Sequence, residues 1–182
     1  MTNMSSNIAD LTLEQIEAAI AAEHKEHVGY LTIGRGRATL PSAKDGWPVS
    51  VPVEVALEAI QRYQGHCWVA PRPTGGHMLA GAADPVSAEA MPEWLVQEMF
   101  GAQFVEEIAA RGLVLWWVPA LRARLWLGVV HPDGRAVGVD VEDDTLRVGW
   151  VVDGKASSSA FVDEAPAWAR PAIERAREVL GV

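Results

Sequence analysis

Between Arg122 and Phe161 the chain alternates apolar and polar residues in short runs, and each run stops at residues that favour tight turns. This stretch constrains the fold more than any other. Side chains alternate across a strand, so Arg122 to Val130 puts Ala123, Leu125, Leu127 and Val129 on one face. Arg122, Arg124, Trp126 and Gly128 take the other. His131-Pro-Asp-Gly134 follows, with proline preset for the first central position of a turn and glycine for the left-handed residue after it. A three-residue loop there sets Gly128 opposite Gly138, Trp126 opposite Asp140 and Arg124 opposite Glu142. The same register puts Val137, Val139 and Val141 on the face of Leu125, Leu127 and Val129, as one buried face requires.

Two more reversals extend the pattern. A two-residue loop at Asp143-Asp144 pairs Asp140 with Arg147 and Gly138 with Gly149, and keeps Leu146, Val148 and Trp150 on the apolar face. Asp153-Gly154 is a strong hairpin signal and brings Ser158 beside Gly149. The second face then carries three rows: Arg124, Glu142 and Thr145; Trp126, Asp140 and Arg147; and Gly128, Gly138, Gly149 and Ser158. Side-by-side glycines leave a strip where another segment or a ligand can come close. One of the chain's own helices is the ordinary occupant. A binding groove walled by Trp126, Asp140 and Arg147 is the functional alternative.

Upstream, the chain mixes helices with short strands. Thr12 to about His27 has an apolar stripe at Leu13, Ile16 and Ile20, and Thr12 with Gln15 has capping-box spacing. Val28 to Ile33 reads as a strand and Gly34 to Arg37 as a turn. Residues 38–51, broken by Pro41, Gly46 and Pro48, read as irregular. A helix starting near Pro52 buries Val53, Leu57 and Ile60 and stops at Gly65. His66 to Ala70 is a short strand. Pro71 to Asp84 then reads as the longest loop, and long loops are often functional; Arg72 and His77 are its chemically useful groups. Helices over Pro92–Phe100 and Ala102–Arg111 bury Trp94, Leu95, Met99, Phe104 and Ile108. Leu113 to Val118 is a strand, Asp163 to Arg170 a turn region, and a last helix starts at Pro171.

Strands gather late and follow one another directly. The expected class is therefore α+β: an antiparallel meander over about residues 113–161, packed with N-terminal, central and C-terminal helices, in one domain over residues 1–182.

Charge narrows the function. The net charge is −9 at neutral pH, and neither half of the chain is basic. Nucleic acid and anionic membrane are poor partners for such a surface, whereas a basic protein suits it. A single cysteine, Cys67, precludes a disulfide framework within the chain. The first ten residues lack the basic and apolar regions of a secretory signal, and the apolar run Leu113 to Leu121 is too short to span a bilayer, so a cytoplasmic location is expected.

No combination of residues makes a convincing catalytic set. His24 and His27 could share a metal ion, but two ligands do not make a site. Asp140 and Glu142 project from one strand face, as carboxylates do in metal-dependent phosphoryl transfer. Cross-strand pairing with Arg147 and Arg124 accounts for them equally well. His66 and Cys67 are adjacent in a strand and point apart.

The leading expectation is an acidic, non-enzymatic interaction domain that binds a protein partner or joins an assembly, in the manner of an immunity protein, an enzyme inhibitor or a virion component. No cofactor or metal is expected. The candidate binding residues are Arg124, Trp126, Gly128, Gly138, Asp140, Glu142, Arg147 and Gly149, with Arg72 and His77 as a second group. One alternative is a small metal-dependent hydrolase built on Asp140 and Glu142 with His77 or His131. Another is a small-ligand binding protein using the face of Gly128, Gly138 and Gly149.

Overall fold

The computed structural model describes residues 33–34, 36–43, 46–63, 66–72, 74–82, 84–121 and 124–182, together with Thr12, Glu14, Gln15 and Ala18. Most of the expected first helix, with His24 and His27, and the strand expected from Val28 lie outside these residues. The helix start itself is present. The Thr12 amide donates to Gln15 Oε1 at 2.9 Å, and the Gln15 amide donates to Thr12 Oγ1 at 3.3 Å, a reciprocal capping box.

The fold is α+β with antiparallel sheets. Its largest element is a six-stranded sheet of β6 (Glu89–Ala90), β7 (Val114–Trp117), β8 (Leu125–Val130), β9 (Ala136–Glu142), β10 (Thr145–Val152) and β11 (Lys155–Ser159), in spatial order β11-β10-β9-β8-β7-β6. Tight turns set this order. His131 N donates to Arg135 O at 2.7 Å across the β8–β9 loop, and Gly134 takes φ +85°. Asp143 and Asp144 both take positive φ, as do Asp153 and Gly154. These two-residue turns have the handedness that suits twisted hairpins. The expected register follows: Gly128 pairs with Gly138, Gly138 with Gly149 and Gly149 with Ser158, while Asp140 pairs with Arg147 and Glu142 with Thr145.

Strands β1 (Ile33–Gly34), β2 (Arg37–Pro41) and β3 (Pro48–Pro52) form a second sheet. Residues 38–51, expected to be irregular, thus contain two paired strands. The prolines mislead because all three stand at strand ends: Pro41 pairs with Pro48, and Pro52 closes an edge strand. There a missing N–H breaks no central ladder. Helix α1 (Val53–Tyr63) follows directly and buries Val53, Ala56, Leu57 and Ala59.

The expected long loop from Pro71 to Asp84 is also corrected. Strand β4 (Cys67–Pro71) pairs with β5 (His77–Gly81) in a hairpin. Gly75 and Gly76 have φ +94° and +82°, and Arg72 N donates to Gly76 O, so five residues make the reversal. The two faces of this hairpin enter different cores. Cys67 and Val69 join Leu40, Val51 and Leu57 beneath α1, while Trp68, Ala70, Met78 and Ala80 join the large sheet's core. There Trp68 meets Trp117 edge to face at 5.9 Å.

That large core lies on the Leu125, Leu127, Val137, Val139 and Val148 face. Helices α2 (Glu93–Phe100), α3 (Ala102–Ala110) and α4 (Arg170–Leu180) supply Leu95, Val96, Ile108, Ala172, Ile173 and Ala176 to it. Helix α4 has Pro171 in its first turn, as expected, and the segment before it makes two short 3-10 turns. Two residues assigned to the core are not in it. Trp94 is 50% exposed because Leu95 and Val96 take the inward side of α2, and Val141 reaches the rim of the sheet at 36%. Among the described residues no helix is long and apolar enough to cross a membrane.

Candidate functional site

The second face of the large sheet changes character along its strands. At one end Val130, Ala136, Val151 and Ala156 are apolar and cluster with Trp116, Trp126 and Leu121. At the other end stand Arg124, Asp140, Glu142 and Arg147. The glycine row lies between.

Among the described residues, indoles and not a helix occupy that row. Trp116 and Trp126, direct partners on β7 and β8, stack at 5.9 Å with 24° between their planes and fill it. A Cβ on Gly149 would lie 2.8 Å from three atoms of the Trp126 ring, and one on Gly138 would lie 2.6 Å from Trp116 Nε1. That Nε1–H donates to Val137 O at 3.0 Å. Gly138 and Gly149 are therefore the seats of two indoles, whereas a Cβ on Gly128 would meet the backbone of Val137 and Gly138; indoles take the place expected for a helix or a ligand. Trp126 is 1% exposed and cannot wall a wide groove.

What remains open is the polar end. Arg124 donates from Nη1 to Asp140 Oδ2 at 3.0 Å and from Nη2 to Glu142 Oε1. Arg147 Nη1 approaches Glu142 Oε2 at 3.6 Å. The charge pairing thus differs from the straight cross-strand expectation. Arg124 takes both carboxylates, and Arg147 leans on the diagonal Glu142 instead of its direct partner Asp140. The long guanidinium fork spans two residues of one strand face, which a point charge would not.

Burial works against the charged guanidinium of Arg124, but hydrogen bonds and charge from Glu142 and Asp140 outweigh it and hold its pKa above the ordinary value. Burial pushes the Asp140 carboxyl upward, and Arg124 offsets this only in part. The two partners therefore differ in what they gain. The pair favours the guanidinium's charge without fully repaying the desolvation of the aspartate, as is common for buried ion pairs.

Among the described residues, two clefts flank Arg124. One, of about 250 Å³, is lined by Trp47, Arg124, Leu125, Asp140, Val141, Glu142 and Asp143. The other, of about 170 Å³, is lined by Ala120, Leu121, Arg124, Trp126, Arg147 and Ser158. Trp47 is 73% exposed. It sits at the base of the β2–β3 loop, where its carbonyl accepts from Ser42 N at 2.8 Å. Sequence reading passed over it because its stretch looked irregular; a tryptophan between two proline-ended strands was the signal available.

The structure groups Arg124, Asp140, Glu142 and Arg147 as expected. It sets Arg72 and His77 on the β4–β5 hairpin, and neither lines either cleft. His131 packs against the edge of Trp168 at 5.4 Å and is likewise outside both linings. The histidines considered as partners for Asp140 and Glu142 are thus not brought to them. Among the described residues no group of three or more histidine, cysteine or acidic residues is placed to hold a metal ion.

Comparison with known proteins adds no family. No family model, no curated protein and no solved structure matches the chain.

Proposed function

We propose that this chain is an acidic, non-enzymatic interaction domain that binds a basic segment of a protein partner in the cleft beside Trp47. The observation that carries this reading is the joining of an exposed indole to carboxylates. Trp47 lines the same cleft as Asp140, Glu142 and Asp143, with apolar Leu125 and Val141 beside them. Aromatic anchors dominate binding hot spots, and an indole face next to carboxylates suits an arginine or lysine side chain through cation–π and ionic contact together. The net charge of −9 adds long-range attraction for a basic partner. Arg124 neutralises part of the cleft while orienting Asp140 and Glu142, which favours selection by geometry over a bare acidic patch. A cytoplasmic setting accords with Cys67 as a buried free thiol.

Calorimetric titration with an arginine-rich decapeptide and a glutamate-rich decapeptide of equal length tests the reading. The basic peptide is expected to bind with salt-sensitive affinity and the acidic one not to bind. Trp47→Ala is expected to weaken binding about tenfold, a hot-spot loss of about 1–2 kcal/mol. Equal binding of the two peptides, or a Trp47→Ala variant that binds like the parent, would count against the reading.

A further inference from the structure

The smaller cleft is separate from the Trp47 cleft, and its chemistry is opposite. Its lining holds the Arg124 and Arg147 side chains, the Ser158 hydroxyl and Trp126, with Ala120 and Leu121 as its apolar side. The carboxylates of Asp140 and Glu142 are not among its lining residues; Asp140 and Glu142 line the neighbouring cleft instead. Arg124 belongs to both and so divides a carboxylate-lined side from a donor-lined side. Guanidinium and indole groups have N–H donors and no acceptor, and a serine hydroxyl can donate as well.

Arg147 keeps donor capacity there, and Trp126 supplies a reporter. Among the described residues Arg147 makes one loose ion pair, at 3.6 Å, and its side chain stays 39% exposed. Trp126 Nε1–H is buried and has no hydrogen-bond partner among the described residues. An indole without an acceptor is not decisive by itself, since Trp68 and Trp117 share that condition. Neither of those lines this cleft, whereas Trp126 does, beside two guanidiniums. Buried donors normally find a partner, but Trp126 Nε1 is closed to the solvent of the cleft, so the indole serves there as a wall whose signal reports the cleft's occupant.

We propose that this cleft binds a small oxyanion, a carboxylate or a phosphate, through Arg147, Arg124 and Ser158, with the Trp126 indole as part of its wall. Arginine's planar fork matches both kinds of oxyanion. At about 170 Å³ the cleft admits one such group and little more. Glu142 competes for both arginines, because it is paired with each of them. Free anions are therefore expected to bind weakly, on the order of 1 mM. Removing the Glu142 charge is expected to tighten binding about two- to fivefold, the size of a partly exposed ion-pair interaction. This site stands independently of the Trp47 cleft and its basic partner.

The test is a nitrogen–proton correlation spectrum of the ¹⁵N-labelled chain, titrated separately with inorganic phosphate, sodium acetate and, at matched ionic strength, sodium chloride. The Trp126 indole signal is assigned by its loss in Trp126→Phe. The proposal expects that signal to shift saturably with phosphate or acetate but not with chloride. The shift should be at least tenfold harder to saturate in Arg147→Met and about two- to fivefold easier in Glu142→Gln. Preference for phosphate or for acetate would identify which oxyanion the cleft takes. No saturable shift, a shift that chloride reproduces, or a Glu142→Gln variant that binds no tighter would each overturn the proposal. The Glu142→Gln arm keeps the test decisive should Arg147→Met fail to fold.

Discussion

Substituting Gly149 by alanine puts the Trp116–Trp126 layer under direct test. The added Cβ would lie 2.8 Å from Cδ2, Cε3 and Cζ3 of Trp126. Ordinary carbon contacts lie at about 3.5–4.0 Å, so the ring must retreat by roughly 0.7 Å or more. It has little room: Trp126 is stacked on Trp116, and its own Cβ stands where a side chain on Gly138 would go. Overpacking of this kind costs about 1–3 kcal/mol. Relief of an interior-strand glycine returns about 0.5–1 kcal/mol. The net loss is then about 1–2 kcal/mol. At this chain length each kcal/mol moves the melting temperature by about 2–4 °C, so a fall of about 2–8 °C is expected. Urea melts of Gly149→Ala, Trp126→Leu and the double variant form a thermodynamic cycle. If the ring is what the methyl strikes, Gly149→Ala should cost almost nothing once Trp126 is leucine, giving a coupling of about 1 kcal/mol or more. A neutral or stabilising Gly149→Ala, or a cost that persists in the leucine background, would refute the assignment of the glycine row as a seat for the indoles.

Two further outcomes follow from titratable groups. Asp140 has its carboxyl pKa raised in the folded chain, first by burial and against the pull of Arg124, so between its ordinary value of 3.8 and the raised one the native state holds more protons than the unfolded state. Its contribution to stability therefore falls as pH rises through that window, and urea melts across it should show this slope in the parent chain and its loss in Asp140→Asn; the opposite slope would contradict the burial argument. Cys67 is fully buried, and burial with some help from the Glu58 charge pushes its thiol up to about 12. Iodoacetamide at pH 8 should leave it unmodified in the native chain and alkylate it in denaturant, as mass spectrometry would show.

The large sheet was legible because two independent signals agreed. The turn residues at Pro132, Gly134, Asp143 and Gly154 and the period-two apolar pattern led to one register, and the structure has it. Strands β2, β3 and β5 were hidden for different reasons. Pro41, Pro48 and Pro52 carry no mark saying that they stand at strand ends, and Met78-Leu-Ala80 is too short, and lacks the β-branched or aromatic residues, to outweigh the glycines before it. Periodicity also names the face of a residue without naming its cover. It placed Trp126 beside the glycine row, but the stacking partner Trp116 comes from a strand read as apolar on both sides, so a helix or a ligand was expected where two indoles sit. The polar group at Arg124 was legible as a set. Its pairing was not, because side-chain reach decides whether an arginine takes its direct or its diagonal neighbour.

The β4–β5 hairpin, with one face in each core, also bears on how the chain reaches this state. Strands β7 to β11 pair with their sequence neighbours, so most of the large sheet closes through short loops at small entropic cost. The hairpin must instead come from far upstream to set Trp68 against Trp117. Contacts of such long sequence separation slow a folding reaction more than any others. A truncation that removed the hairpin would spare the ladder of β7 to β11 but strip Trp117 of its edge-on neighbour. The resulting fragment would hold a correct sheet with an uncovered apolar flank, and aggregation would be its characteristic failure.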